Sequence, residues 1–423
     1  KSVGDIRVKS GMDFKPMVKS YVANFRAVRG AAGSVGPVVI QTLGQGLRSG
    51  VKLDLSNTGR PYWTYDKGAV QGQNEFARIH VEEGATVDVG AGGRIGLTSA
   101  GQVAVAGTLR AQGGDVALAV SGSRGAVYGP SDETTKIGYD PMGYVADQGI
   151  VVAGTGKIDV SGVVKTSVLS GTRLAGDVLG GGRVTFNGGV DGAVRGRVIL
   201  ESGSEINVSG KKGEITMANG VNAQISRGAG SVSINTADGF VAAGTLIANR
   251  PDESVAGGQF YASVSREGKT DEYGSSLGGI AYPDVAERRI DVLAKADDIT
   301  DNLKQGYGRG VIGADTLNGS GFDRVHLRAD QAIGLTDGAS IQAADRQPAM
   351  RSVTLNTRAI EVSGSGERLI QASHVALGDV DLTGLQGGVA AVETPSASGA
   401  TDLRVNAGLI EVHGHSAIRG AQS

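Results

Sequence analysis

The chain has 423 residues, with 41 Lys and Arg against 43 Asp and Glu, a formal net charge of −2; this gives no general pull toward nucleic acid or an anionic membrane. It has no cysteine, which excludes disulfides, thiolate catalysis and cysteine metal sites together. Glycine supplies 70 residues and aromatics only 4%, so a core has to be built from Val, Ile, Leu and Ala, and the glycine content falls well short of a collagen's.

Repeat wording begins almost at once, with GDIRVKSG at Gly4 to Gly11, and residues 12–48 and 56–76 then read as irregular or locally helical. The second of these holds the sole Trp, in PYWTYDKG from Pro61 to Gly68. From Thr86 the chain reads TVDVGAGGRIGLTS and from Thr108 TLRAQGGDVALAV, which sets Val87 opposite Leu109 at a separation of 22. Ile95 and Leu97 fall opposite Val116 and Leu118 at 21, and the pair Gly92-Gly93 matches Gly113-Gly114. An excursion is expected at about residues 121–148, then the strand GKIDVSG at Gly156 to Gly162, and a smaller excursion at 163–182.

The rhythm resumes with RVTF, RVIL, SEINVSG, EITM and SVSI between Arg183 and Ile234, where Ile206 and Val208 are core-facing. Residues 249–319 read as a large polar insertion or small subdomain, with a helix within Asp284 to Gly306. After it come VHL, SIQA, SVTLN, AIEVSG (Ile360 and Val362 inward), LIQA, HVAL, DVDLTG, LRV and LIEVHGHS. The expected organisation is strands and packed insertions over 1–83, coils over 84–248, the insertion over 249–319, and coils over 320–423 that continue beyond this fragment.

Within each strand apolar residues alternate with polar ones, which places them on one face. A three-residue strand has too little apolar face to stand alone and needs a copy about 4.8 Å above and below it. Coiling every 20 or so residues supplies those copies. The expected fold is all-β, a parallel β-helix (solenoid) with loop or partly helical insertions, of about 12 to 15 rungs and about 60 to 70 Å in length.

The units GATVDVGAGGRIGLTSAGQVAVAGTLRAQGGDVALAV (Gly84 to Val120) and GSEINVSGKKGEITM (Gly203 to Met217) resemble the coils of filamentous-haemagglutinin-like large exoproteins of Gram-negative bacteria. The resemblance covers residues 76–120 and, with gaps, 149–248 and 325–420. It implies a right-handed β-helix, two-partner export through an outer-membrane transporter, and a place that is secreted, extracellular or on the cell surface. Its other implied partners are surface proteins, copies of the same chain, or receptors and glycans of a host or neighbouring cell. The Asn-Pro signature of the family's secretion domain does not occur, so that domain is expected to be absent or to lie outside this fragment.

The residues point to a noncatalytic structural or adhesive scaffold. The alternatives are a carbohydrate-active β-helix enzyme (polysaccharide lyase or phage-type depolymerase) and a glycan-binding adhesin. Asp88, Asp159, Asn207 and Glu361 recur at comparable strand positions, as a solvated face would have them. Tyr62, Trp63 and Tyr65, with Tyr128, Tyr139 and Tyr144, are the candidate contact residues, or the anchors that pin insertions to the shaft. His413, His415 and Glu411 share one strand face without a complete ligand set. Lys211-Lys212 and Arg288-Arg289 read as surface pairs. No cofactor, metal or catalytic residue is expected, and no run of 18 apolar residues would span a bilayer as a helix.

Overall fold

The computed structural model describes residues 4–15, 21–24, 39–42, 48–57, 65–66, 69–70, 77–120, 149–170, 173–187, 196–217, 220–265, 287–299, 308–342, 350–378, 401–414 and 417–419. Three sheets of eleven, ten and six strands carry the fold, and every pairing within them is parallel. One coil visits all three. Gln102–Val105 lies in the eleven-stranded sheet, Thr108–Arg110 in the six-stranded sheet and Asp115–Val120 in the ten-stranded sheet. The next coil repeats the circuit with Gly149–Val152, Lys157–Asp159 and Arg183–Phe186. The chain is a parallel β-helix.

Register turns the period-two pattern into columns of like residues. Val87, Leu109, Ile158, Ile206 and Leu246 are successive partners in the six-stranded sheet. Ile95, Val116, Val184 and Val232 form another column in the ten-stranded sheet, followed by Phe260 and Val325. Leu97, Leu118, Val208, Ile360 and Val362 are buried with them. Each such side chain gains about 1.5–3 kcal/mol over exposure, which a three-residue strand collects only because its neighbours supply the other walls. At the final strands Ile410 and Val412 continue the columns of Val375 and Leu377, and they stay 47% and 68% exposed.

Glycine marks where consecutive coils touch backbone to backbone. Gly93, Gly114, Gly182 and Gly230 stack at the entry to the ten-stranded sheet. A Cβ on Gly114 would overlap the carbonyl oxygen of Gly93, one on Gly182 that of Gly114, and one on Gly230 that of Gly182. Any side chain here would push the rungs apart.

The structure departs from the sequence reading in four ways. First, EITM belongs to no coil: Lys211–Thr216 pairs antiparallel with Asn222–Arg227, and Met217 is 44% exposed. A similar hairpin joins Val163–Ser170 to Arg173–Leu179. Both leave the shaft at the corner between the six- and ten-stranded sheets and lean on one another, Leu174 N donating to Thr216 Oγ1 at 2.8 Å. Second, with those strands outside the stack, the longest sheet among the described residues has eleven strands, about 48 Å of shaft at 4.8 Å per step, against the expected 60 to 70 Å.

Third, residues 249–319 are no single insertion, because Gly258–Val264, Arg289–Leu293 and Arg309–Gly313 are strands of the two large sheets. Among the described residues of 284–306, where a helix was expected, stand the strand Arg289–Leu293 and a 3-10 turn at Ala296–Asp298. A six-residue helix lies further on, at Ala314–Gly319, next to the last strand of the six-stranded sheet; its Leu317 is fully buried, and Ala248 N donates to Ser320 O at 2.6 Å. Fourth, sequence order and spatial order part company here. Gly239–Ala242 is followed in space by Arg309–Gly313, then by Arg289–Leu293, then by Ala332–Leu335. The ten-stranded sheet passes directly from Gly258–Val264 to Phe322–Ala329, so the eleven-stranded sheet holds one strand more at this level.

Candidate functional site

The recurring carboxylates come first, because a groove enzyme would need them free. Asp88, Arg110, Asp159 and Asn207 form one column on the outside of the six-stranded sheet. The column is half-buried, and each acidic or amide side chain folds over its own corner. Asp88 Oδ1 accepts from Gly90 N at 2.9 Å, Asp159 Oδ1 from Ser161 N at 3.0 Å and Asn207 Oδ1 from Ser209 N at 3.0 Å. These are Asx turns, in which the side chain replaces the backbone acceptor that the turning chain lacks. Arg110 sits between the two acids, 4.0 Å from Asp88 and 3.4 Å from Asp159. The phrase I-D-V-S-G thus writes a strand together with the clasp that ends it. A merely solvated face does not account for the column.

Glu361 belongs to a different sheet and a different environment. On the outside of the eleven-stranded sheet, Arg289 binds Asp291 Oδ1 through Nη2 at 2.7 Å and Nε at 3.0 Å. It also reaches Glu287 at 3.1 Å and Glu361 at 3.2 Å, while Arg309 Nε donates to Asp291 Oδ2. Glu361 is two rungs from Arg289. Gly334 lies between them, and a Cβ there would stand 2.7 Å from Asp291 Oδ1 and 3.0 Å from Arg289 Nη2. The Asp291 side chain is 2% exposed. Burial pulls the Arg289 pKa down, but Asp291, Glu287 and Glu361 outweigh burial and hold it above the ordinary arginine value. Beside the cluster, Val241, Leu293, Ile299 and Val311 form a small apolar patch of their own on the outer side of the same sheet.

This network corrects the reading of Arg288-Arg289 as a surface pair: Arg288 is fully buried and Arg289 is the hub of the cluster. The signal was present in RRIDV, where Arg289 and Asp291 share parity on one strand face. Lys211 and Lys212 are exposed, and Lys212 pairs with Asp252 at 3.4 Å. Hydrogen bonds from Ser226 and Ser254 hold the Asp252 carboxyl well below its usual range and tie the second hairpin to the shaft.

A third cluster lies at the far end of the ten-stranded sheet. Glu411 Oε2 meets His374 Nε2 and His413 Nε2, each at 3.2 Å, and hydrogen bonds from His413 and His374 lower the Glu411 pKa. His415 lies outside the described residues. Among the described residues no group of three or more His, Cys, Asp or Glu is placed to hold a metal ion. Tyr62, Trp63, Tyr128, Tyr139 and Tyr144 also lie outside the described residues, while Tyr65 is in the short strand Tyr65–Asp66.

Fold and clusters together define a β-helical shaft whose repeated polar side chains close turns and lock strands. Compared with known protein families, with curated proteins and with solved structures, the chain matches none of them. No helix among the described residues is long and apolar enough to cross a membrane.

Proposed function

We propose that the chain is a noncatalytic structural or adhesive scaffold, the rigid shaft of a large bacterial surface exoprotein of the filamentous-haemagglutinin-like kind, working outside the cell. The observation that carries this reading is the commitment of the recurring carboxylates. Asp88 and Asp159 clasp their own turns and flank Arg110, and Glu361 is bound to Arg289. An acid–base pair for glycoside cleavage needs carboxyl groups free to face a sugar. Stiffness follows from the continuous parallel ladders, and recognition would fall to whatever the shaft displays, the paired hairpins at one corner among it.

Electron microscopy of the protein extracted in its native form from the cell surface tests the proposal, together with incubation against a panel of polysaccharides. Slender rods, single or polymerised, that leave every polysaccharide intact support it. A compact trimer with a carboxylate-lined groove, or chain cleavage, would replace it with the enzyme reading.

A further inference from the structure

Two neighbouring strands of the eleven-stranded sheet have the pattern to stand in either order. Arg289–Leu293 and Arg309–Gly313 run parallel, with Ile290 beside Gly310 and Asp291 beside Val311. They stay side by side in both orders, so the ion pair of Asp291 with Arg309 does not choose between them. Chain order would give the edge of Gly239–Ala242 to Arg289–Leu293, which comes first and whose Ile290 and Val292 are buried core residues. That edge takes Arg309–Gly313 instead.

The reason lies in the core. Phe240 is fully buried, with Val198 on one side of its column and Gly310 on the other. Its ring leans over Gly310: a Cβ there would collide with Phe240 Cε1 and stand 2.9 Å from both Cδ1 and Cζ. A ring closed in on all sides swings away only if its neighbours repack. A position that refuses a methyl group refuses isoleucine, and Ile290 is what Arg289–Leu293 would place there. Phenylalanine alone is no bar, since Phe260, whose ring lies 5.5 Å from that of Phe322, has Val232 and Val325 as column neighbours. What matters is where the ring points. The outer column agrees, because the observed order sets Val241 beside Val311 and Asp291 beside Gly334, whereas the reverse would press the Asp291 carboxylate against Val241.

We propose that Phe240 selects the strand order at this level. Its ring leaves room for glycine alone, which gives the slot to Arg309–Gly313 and denies it to Arg289–Leu293. The residue is thus a conformational specificity determinant, holding off a pairing that the order of the chain favours. This is a property of the fold itself and holds whatever the finished shaft binds or supports.

The chain has no cysteine, so introduced cysteine pairs in the full chain report strand neighbours without interference. Registered Cα atoms of adjacent strands lie about 4.8 Å apart, within a disulfide's reach, and those two rungs apart lie about 9.6 Å apart, beyond it. Val241→Cys with Val311→Cys reports the observed order, and Ala243→Cys with Leu293→Cys reports the reverse. After oxidation, mass spectrometry should find the first disulfide and not the second. Exchanging the two side chains, Gly310→Ile with Ile290→Gly, should cut the first by about tenfold or more and close the second. In the cysteine-free chain, Gly310→Ala should accelerate amide exchange in Arg309–Gly313 by about tenfold or more, but by about twofold or less once Phe240→Ala has removed the ring. If the exchanged chain does not fold, this comparison decides alone. Closure of the second pair with Gly310 and Ile290 in place, an unchanged disulfide pattern after the exchange, or equal acceleration with and without the Phe240 ring would overturn the proposal.

Discussion

Replacing Asp291 by alanine should open the eleven-stranded sheet at one level and leave the rest of the shaft closed. The Asp291 carboxylate is 2% exposed and receives two bonds from Arg289, at 2.7 and 3.0 Å, and one from Arg309. The arginine side chains are 24% and 33% exposed, so removing the aspartate strands two guanidiniums that water reaches only in part. Breaking a buried pair from one side costs about 3–5 kcal/mol. Glu287 and Glu361 would still hold Arg289, which sets the expectation at the lower end, about 3 kcal/mol. At about 1.4 kcal/mol per factor of ten, amide hydrogen exchange in Arg289–Leu293 and Arg309–Gly313 should accelerate about a hundredfold. Asp291→Asn, which keeps the shape and one acceptor, should fall between. The reasoning is refuted if exchange in those two strands is unchanged, or if it rises equally in Gln102–Val105 and Thr108–Arg110, far along the shaft.

Three further outcomes follow from the geometry. Gly182→Ala, which places a methyl against the Gly114 carbonyl, should cost about 3 kcal/mol and lower the thermal midpoint, whereas Gly4→Ala, with open space around it, should not. Asp159→Ala loses the bonds from Ser161 N and Oγ as well as Arg110, so in urea melts it should cost more than Asn207→Ala, about 2 against about 1 kcal/mol. His80 has its pKa lowered by burial first and by Arg7 second. The folded protein therefore prefers neutral His80, and the stability this confers is complete above the unfolded value near 6.5 and is lost as pH falls through the lowered folded value. Exchange in Ile6–Val8 and Arg78–Val81, corrected for intrinsic rates, should accelerate on acidification through that window, and His80→Asn should abolish the effect.

Much of the shaft can be read from the residues, because a coil repeats its own constraints. Val87 and Leu109, or Ile95 and Val116, announce their pairing by sharing both a period-two pattern and a distance from the same glycine corner. The pattern names the face of a strand, however, and not its partner. EITM alternates as well as SVSI does, but one turns back into an antiparallel hairpin and the other joins the ten-stranded sheet. RIDVL in the same way gives no sign that its neighbours will be Arg309–Gly313 and Ala332–Leu335. The polar columns were half legible. The recurrence of Asp88, Asp159 and Asn207 is plain, but their role depends on an N–H two residues on, which spacing alone does not reveal.

The exchanged order of Arg309–Gly313 and Arg289–Leu293 bears on how this chain acquires its shape. A solenoid can grow by adding each new turn to the last, so that whatever has emerged from a ribosome or a membrane pore is already complete behind the growing tip. That process breaks at the edge left open by Gly239–Ala242. Arg289–Leu293 emerges first but belongs one place further on, and the strand that should lie beneath it is made only afterwards. Until Gly313 has appeared, Asp291 lacks Arg309, and the edge of Gly239–Ala242 still waits for its mate. A chain delivered from its N-terminus must hold this level unfinished for about 20 residues and then close several bonds together, a pause written into the order of the strands.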